Sequence, residues 1–244
     1  MILSAAARTD VGLKRSANED SFALAPDLGL FVVADGMGGH TAGKLASALA
    51  SEGAVCALRQ VAGSNASPTE KLRYCVAAAN RKIFETAQAK PELAGMGTTF
   101  VALLAGRGRI ALAHVGDSRA YLIRGGVIRR LTDDHSLVAE LVRRHEISER
   151  DAREHPHRHV LTRALGVRRA VEADLAEMTP ALDDVVVLCS DGLTGHLHDD
   201  EIAEIVLRNA ELDAACARLI ELANARGGDD NTTVALVHCA ADPA

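Results

Sequence analysis

The feature that most limits the fold is a set of short runs in which nearly every residue is apolar. Residues 30–34, 110–115 and 185–189 are the clearest examples. All the strand-like runs together are 21–25, 30–34, 98–105, 110–115, 120–124, 185–189 and 232–237. Runs of this length and composition are typical of β-strands that are buried on both faces. The strands of this chain therefore need cover from other elements.

Short glycine-rich connections indicate how neighbouring strands are joined. Gly106-Arg107-Gly108 separates two of the runs, and Gly125-Gly126 follows a third. Connections of this kind are typical of β-hairpins, in which consecutive strands pair side by side. We therefore expect the sheets to be antiparallel.

One segment has a complete helix signature. The sequence Ser-Pro-Thr-Glu at residues 67–70 is a capping box with proline at the first helical position. Leu72, Val76, Ala79 and Ile83 then follow one face of a helix. We expect this face to cover a sheet.

Two further helices complete the predicted architecture. One runs from about residue 43 to 61 and carries Leu45, Ala48 and Leu49. The other has apolar residues at three-and-four spacing, namely Leu212, Ala215, Cys216, Leu219, Ile220 and Ala223. Amphipathic helices must cover an apolar surface, and the antiparallel strands provide one. The predicted fold class is α+β, an antiparallel β-sandwich flanked by α-helices on both sides.

Composition narrows the range of partners. The net charge is −6, and aromatic residues make up only 2% of the 244 residues, with no Trp. No basic run is long enough to neutralise a phosphate backbone, and few rings are present on which bases could stack. We expect no nucleic-acid partner. An acidic protein can still act on phosphate groups where bound metal ions supply positive charge.

Other sequence features bear on domain organisation and location. No linker divides the chain, so we expect residues 1–244 to form one domain. Residues 1–12 lack the segments of a signal peptide, and no apolar run approaches the ~20 residues that span a bilayer. The five Cys residues have no CxxC spacing, which favours neither a zinc knuckle nor a disulfide framework. We expect a cytoplasmic protein without a membrane anchor.

Five acidic residues lie at the ends of the predicted strands. Asp35 and Asp191 each follow an apolar strand, Asp117 follows another, and Asp20 and Asp230 precede two more. Any one of them is consistent with an ordinary turn, because Asp-Gly and Gly-Asp pairs mark turns. Five together would repel one another unless cations were bound between them. The pattern therefore predicts a site for positive ions.

The residue types at this site favour particular ions. Carboxylates without accompanying His or Cys are hard oxygen ligands, which suit Mg²⁺ or Mn²⁺ better than Zn²⁺. Gly36 directly follows Asp35, and a residue without a side chain allows its carbonyl to approach an ion closely.

With these residues in view, the chain resembles the PP2C (PPM) family of metal-dependent protein phosphatases along nearly its whole length. The match is closest to short bacterial members that lack a membrane tail. The motifs that carry the resemblance are TDVG at 9–12, RSANED at 15–20, DGMGGH at 35–40, MGTT at 96–99, VGDSR at 115–119, LTDDHS at 131–136, LTRALG at 161–166, CSDGL at 189–193 and GDDNTTV at 228–234.

The resemblance implies a role for each candidate metal ligand. Asp35 would bridge two tightly bound Mn²⁺ or Mg²⁺ ions. The carbonyl of Gly36 would hold one of them, and Asp191 and Asp230 would hold the other. Asp117 would share a third, weaker ion with Asp191. Asp20 would act mainly through metal-bound water.

The resemblance also implies roles around the metals. Glu19 would act through metal-bound water, and Arg15 would hold the substrate phosphate with its guanidinium fork. His40 would either protonate the leaving group or only bind a neighbouring carboxylate from its loop. Residues 136–170 would form a flap beside the site, called the flap segment below. In that segment we expect His155, His157 and His159 to touch substrate or solvent and not metal.

The implied reaction is the hydrolysis of phosphoserine and phosphothreonine in proteins. Paired cations neutralise the phosphate and lower the pKa of a bridging water, so that hydroxide attacks phosphorus directly. Relatives of this kind oppose bacterial serine/threonine kinases, so we expect such a kinase and its targets as partners, with the chain acting as a monomer.

Two alternatives are less well supported. Residues 38–44 nearly spell a P-loop, but Leu45 stands where Ser or Thr would hold Mg²⁺. A degenerate phosphatase that senses without hydrolysing would be expected to lose metal carboxylates, and Asp35, Asp191 and Asp230 are all present. The sequence therefore supports an active phosphatase better than it supports either alternative.

Overall fold

Two antiparallel sheets form the centre of the molecule in the computed structural model, which describes residues 2–39 and 41–241. The first sheet has the order β1 (Ile2–Asp10), β11 (Thr232–Ala240), β10 (Val185–Cys189), β7 (Arg119–Arg124), β8 (Val127–Arg130). The second has the order β2 (Asp20–Ala25), β3 (Leu30–Met37), β5 (Phe100–Gly106), β6 (Arg109–Val115), β9 (Asp174–Met178), and β4 (Gly97–Thr98) also pairs with β3.

The two predicted hairpin turns are confirmed. β5 and β6 are joined by Arg107 and Gly108, with φ of 53° and 71°, and β7 and β8 by Gly125 and Gly126, with φ of 57° and 80°. Positive φ at both central residues gives a turn whose twist matches that of the strands, and glycine adopts it without strain.

The sheets pack face to face through a dry apolar layer. Every residue of this layer comes from alternate positions of the strands, because successive side chains point to opposite faces. From the second sheet it includes Phe31, Val33, Val101, Leu103 and Ile110, and from the first sheet Ala120, Leu122, Val186, Leu188, Ala235 and Val237.

Helices cover both outer faces. The helices in the described residues are α1 (Thr41–Val61), α2 (Pro68–Ala89), α3 (Leu137–Arg143), α4 (Glu149–Glu154), α5 (Asp191–Thr194), α6 (Asp199–Arg208) and α7 (Leu212–Ala225), and four of them provide this cover. α1 and α2 pack on the second sheet, and α6 and α7 pack on the first. The predicted fold, a β-sandwich between helical layers, is confirmed.

The helix signature at residues 67–70 is confirmed in detail. The amide of Glu70 donates to Ser67 Oγ at 3.2 Å, and the amide of Ser67 donates to Glu70 Oε2 at 2.7 Å. The predicted face of α2 is buried, with Leu72, Ala79 and Ile83 all fully covered.

α1 differs from the expectation. Leu45, Ala48 and Leu49 are only half-buried, while the covered face is made of small residues. That face comprises Ala42, Gly43, Ala46, Ser47, Ala50, Ser51, Ala54, Ala57 and Leu58. Small side chains let a helix lie close to a sheet, so the closest contact follows them and not the larger leucines.

Three strands were not expected from the sequence. β1 and β8 lie at the two edges of the first sheet, and β9 lies at one edge of the second. Edge strands are less completely covered, so their sequences mix polar and apolar residues and show no strong period. Over the described ranges, no helix is both long enough and apolar enough to cross a membrane.

Candidate metal centre

One carboxylate connects the two sheets at the end of the sandwich where the candidate site lies. Asp20 and Asp35 stand opposite each other in the β2–β3 pair. Asp20 Oδ2 accepts hydrogen bonds from Ser190 Oγ at 2.8 Å and Thr233 Oγ1 at 2.7 Å. Both donors belong to the first sheet or its end, so the acids of the two sheets face a common cleft.

The backbone of Asp35 is fixed by its neighbours. Its amide donates to Thr99 Oγ1 at 2.9 Å, and its carbonyl accepts from the Thr99 amide and from Thr98 Oγ1, both at 2.8 Å. Thr99 Oγ1 also contacts Ser118 Oγ at 2.6 Å. Because Ser118 follows Asp117, this network holds the two acidic turns together.

Asp191 and Asp230 lie on adjacent strand ends of the first sheet. Asp191 begins α5 directly after β10, and Asp230 stands just before β11. A Cβ atom on Gly192 would lie 2.1 Å from the carbonyl oxygen of Asn231. Only glycine permits this close approach, so the Asp191-Gly192 sequence brings one acid beside the other.

The electrostatics of the cleft are those expected for crowded carboxylates. Burial raises the pKa of Asp20 to about 7, with the nearby Asp191 and Asp230 adding to the effect. Burial first, and neighbouring carboxylates second, also raise the pKa values of Asp35 and Asp117 well above the usual range. Ionised together, these groups repel one another.

Two buried carboxylate oxygen atoms at the cleft have no hydrogen-bond partner among the residues that the structure describes. They are Asp20 Oδ1 and Asp191 Oδ1. A buried carboxylate oxygen without a donor is costly unless a cation or ordered water meets it. The atoms that the acidic residues and Gly36 offer as metal ligands are all carboxylate or backbone oxygens, the ligand type that Mn²⁺ and Mg²⁺ prefer. The residues therefore fit a divalent metal centre.

Glu19 lies between the acids of the two sheets. Its carbonyl accepts from the Gly36 amide at 3.2 Å, and its amide donates to Asn231 Oδ1 at 2.8 Å. A Cβ atom on Gly43 would lie 1.9 Å from Glu19 Oε2, so the carboxylate sits against the first turn of α1.

Asn231 is a functional residue that the sequence interpretation did not single out. Besides its bond to the Glu19 amide, its Nδ2 donates to the carbonyls of Val11 at 2.9 Å and Ala17 at 3.0 Å. It thus holds the chain that precedes Asp20 against the end of β11. Its position directly after Asp230 was the one available indication in the sequence.

Cationic side chains border the cleft. Arg15 is half-exposed, and its guanidinium donates to Asp230 Oδ2 at 2.6 Å. His159 is also half-exposed, and its Nδ1 lies 3.8 Å from Asp191 Oδ2. His155 and His157 stack loosely on each other, with ring centroids 5.6 Å apart. His40 lies outside the described residues.

Most of the site residues predicted from the sequence line this one cleft. Its lining comprises Arg15, Glu19, Asp35, Gly36, Met37, Gly38, Gly39, Thr99, Asp117, His159, Leu161, Asp191, Asp230 and Asn231. Asp20 is buried opposite Asp35 in the β2–β3 pair and is not part of this lining, and its Oδ2 is bonded across the sheets to Ser190 and Thr233. Such an arrangement can bind two or more hard cations and present them to an anionic substrate.

Known proteins share both the sequence and the structure. Residues 8–232 match the family described as Protein phosphatase 2C. The chain is 41% identical over 235 residues to "Serine/threonine phosphatase stp" of Listeria monocytogenes, covering 94% of this chain and 93% of that protein.

Solved structures of serine/threonine phosphatases have the same fold as this chain. The Mycobacterium tuberculosis serine/threonine phosphatase PstP/Ppp superposes with a TM-score of 0.89 at 38% identity, covering 99% of this chain and all of that one. The catalytic domain of PstP in complex with two manganese ions gives 0.87 at 37% identity, covering 98% and 99%. The chain therefore belongs to the protein phosphatase 2C family of serine/threonine phosphatases.

Proposed function

We propose that the chain hydrolyses phosphoserine and phosphothreonine monoesters in proteins, using two Mn²⁺ or Mg²⁺ ions bound in the cleft. The observation that carries the proposal is the convergence of carboxylates from both sheets around two buried oxygen atoms that have no hydrogen-bond partner in the described part of the chain. The related PstP domain with two manganese ions supports the choice of metal.

The individual ligand roles are part of the proposal. Asp35 would help hold both ions, the carbonyl of Gly36 would hold one of them, and Asp191 and Asp230 would hold the other. Bound there, the ions supply positive charge for the phosphate and lower the pKa of water. The fixed backbone of Asp35 and the Gly192 contact support these roles, because both hold ligands before any ion arrives.

The surrounding residues orient water and substrate. The free Oδ1 of Asp20 and the carboxylate of Glu19 accept hydrogen bonds from water around the metals. Arg15 turns from Asp230 to the phosphate when substrate enters, since its side chain is half-exposed at the rim of the cleft. Asp117, together with Asp191, would hold a third, weaker ion. The role of His40 as a general acid stays a prediction.

The domain organisation, the protein substrates, the oligomeric state and the location of the chain are also part of the proposal. We propose that residues 1–244 act as one catalytic domain whose flap segment contacts substrate, and that the targets are phosphoproteins of a bacterial serine/threonine kinase. That the chain is a monomer in the cytoplasm stays a prediction, and Mn²⁺ and Mg²⁺ stay alternatives for the bound ions.

The direct test is metal-dependent turnover of a phosphothreonine peptide. We expect hydrolysis with Mn²⁺, loss of turnover in EDTA and recovery when Mn²⁺ is restored. Asp35→Asn should lose nearly all turnover. Its matched control is Asp27→Asn, an exposed aspartate at the opposite end of the β2–β3 hairpin, which should behave as wild type.

Two outcomes would contradict the proposal. Full turnover in a metal-stripped sample would exclude the two-metal mechanism. Tight binding of two Mn²⁺ ions without any turnover of phosphopeptide or aryl phosphate would instead favour the sensing module.

A further inference from the structure

A second polar cluster lies beside the metal centre, at the open edge of the sandwich. His114 on β6 stands opposite Asp174 on β9, and His135 packs on His114 with ring centroids 4.6 Å apart. One ligand atom from each of the three residues lies within 4.8 Å of the others. His114 is buried, and within residues 2–39 and 41–241 neither of its ring nitrogens has a hydrogen-bond partner. The cluster raises the question of a further metal site.

The bonds of His135 argue against metal at this cluster. Its Nδ1 faces the Gly116 amide at 3.1 Å and must accept that hydrogen bond. The proton therefore sits on Nε2, which donates to Asp174 Oδ2 at 3.2 Å. A metal on Nε2 would force the proton onto Nδ1, where it would face the amide hydrogen of Gly116. Asp174 is moreover paired with Arg163 at 2.6 Å.

His135 instead forms hydrogen bonds with the turn that carries Asp117. The Gly116 amide donates to the His135 ring, and the Gly116 carbonyl accepts from the His135 amide at 2.7 Å. Gly116 has a φ of 107°, and a Cβ atom there would lie 2.7 Å from Thr99 Cβ. Both polar backbone groups of the residue before Asp117 are thus bonded to one histidine.

The same histidine is attached to the flap segment. Its carbonyl accepts from the Thr162 amide at 2.9 Å, and the neighbouring Ser136 forms an isolated β-bridge with Leu161. Through Asp174 the ring also reaches Arg163, which follows Thr162. His135 therefore touches both the acidic turn and the flap, although it reaches no reacting atom itself.

We propose that His135 is a positioning residue for Asp117, coupling the Gly116-Asp117 turn to the flap segment. The inference rests on the proposed function, because Asp117 matters to turnover only if the cleft hydrolyses phosphate esters. The Nδ1 contact with Gly116 sets the direction of Asp117, and the Nε2 contact with Asp174 transmits the position of the flap.

Two conservative variants separate these contacts. In His135→Asn, the side-chain carbonyl takes the place of Nδ1 and can still accept from Gly116. In His135→Gln, the amide nitrogen takes the place of Nε2 and can still donate to Asp174. A buried amide without an acceptor costs ~1–3 kcal/mol, which corresponds to roughly a five- to 150-fold change in rate if the whole cost falls on the reacting state.

We expect His135→Gln to lower kcat on a phosphothreonine peptide by about tenfold or more. His135→Asn should stay within about threefold of wild type, since it keeps the contact that orients Asp117. An aryl phosphate, whose leaving group needs less protonation, should show a smaller loss. The control is His238→Gln on β11, another histidine beside an aspartate, Asp183, but far along the strand from the site.

Combination with Asp117→Asn tests whether His135 acts through Asp117. We expect the double variant with His135→Gln to be no slower than Asp117→Asn alone, while calorimetry still finds two tight Mn²⁺ sites. Thermal unfolding of each variant distinguishes loss of position from loss of fold. Additive losses, or equal losses in His135→Asn and His135→Gln, would overturn the positioning role.

Two further outcomes have distinct meanings. If wild type turned over phosphopeptide and His135→Gln matched it, the inference would fail while the proposed function stood. If the wild-type protein bound one stoichiometric Zn²⁺ that Asp174→Asn lost, the cluster would be a metal site and the positioning role would be wrong.

Discussion

Asp20 contributes to the site through two oxygen atoms with different surroundings. Oδ2 accepts hydrogen bonds from Ser190 and Thr233, whereas Oδ1 is buried and has no partner among the described residues. Because burial disfavours the anion more than the two hydroxyls favour it, the pKa of Asp20 rises to about 7. Oδ2 therefore joins the two sheets, while Oδ1 is available to a hydrated cation.

Arg15 provides the first prediction at the residue scale. Arg15→Ala should lower kcat/KM on phosphopeptides by about ten- to hundredfold, because one charge-assisted hydrogen bond contributes ~1.5–3 kcal/mol. The effect should appear mainly in KM. Mn²⁺ affinity should not fall, since the variant frees the Asp230 carboxylate from its 2.6 Å ion pair.

Steady-state kinetics and Mn²⁺ calorimetry check the Arg15 prediction. The matched control is Arg8→Ala, which removes a similar exposed ion pair, to Asp213 at 2.6 Å, on the outer side of the first sheet. Loss of both tight Mn²⁺ sites in Arg15→Ala would show that the arginine supports the metal centre and not the substrate.

At the scale of secondary structure, α1 and β3 form the element pair on which the site depends. β3 carries Asp35 and Gly36 just before its last residue, Met37, and a Cβ atom on Gly36 would lie only 2.1 Å from the Gly43 carbonyl of α1. The alanines along the covered face of α1 make this approach possible. The helix is therefore placed by small residues, and its position fixes the end of the strand.

Overpacking of this interface is the prediction at the element scale. Ala46→Leu should lower the free energy of unfolding by about 1–3 kcal/mol, because Ala46 is fully buried and its neighbours cannot move away. Turnover should fall as well, since α1 would be pushed from the end of β3.

Ala48→Leu on the same helix is the control for Ala46→Leu. Ala48 is half-buried, so the added methyl groups have room, and we expect little change in stability. Urea unfolding at saturating Mn²⁺ measures both variants. Equal stabilities for the two would mean that the small-residue face is not the tight contact.

At the scale of the whole molecule, the site lies where the two sheets meet at one end of the sandwich. Asp20 and Asp35 come from the second sheet, and Asp191 and Asp230 come from the first. Ionised carboxylates at this junction push the sheets apart, and divalent cations bound between them hold the sheets together. Metal binding should therefore stabilise the entire fold.

The stabilisation by Mn²⁺ should increase with pH. The folded-state pKa of Asp20, about 7, lies far above its unfolded value, so the folded protein keeps this proton at pH 6 and loses it as pH rises through 7. In the metal-free protein the buried charge of Asp20 then lowers the stability of the fold. Mn²⁺ needs the ionised group, so its affinity rises over the same interval.

Thermal unfolding with and without Mn²⁺ at pH 6.0 and 7.5 tests this dependence. At a hundredfold excess over Kd the ion should stabilise the fold by about 2.7 kcal/mol at the higher pH, and by less at the lower. Burial lowers the pKa of His114 to about 4. That shift affects the metal-free and the Mn²⁺-bound protein equally, so it cancels in the difference between their stabilities. An equal Mn²⁺ effect at both pH values would contradict the prediction.

Local features of the chain were readable from the sequence. The apolar runs predicted the central strands, the glycines at 125 and 126 predicted a hairpin, and Ser67 with Glu70 predicted the start of α2. Acids at strand ends, with the ordered motifs around them, indicated the cleft and the family. Each of these depends on neighbours within a few positions, where backbone preference and periodicity act directly.

Other features depended on the tertiary structure alone. The bonds of Asp20 to Ser190 and Thr233 join residues 170 and 213 positions apart. The hold of His135 on Gly116 and the small-residue face of α1 likewise follow from how elements pack. A hydrogen bond between two sheets requires a particular register and spacing, and these are set by the packed core as a whole, so no local pattern specifies them.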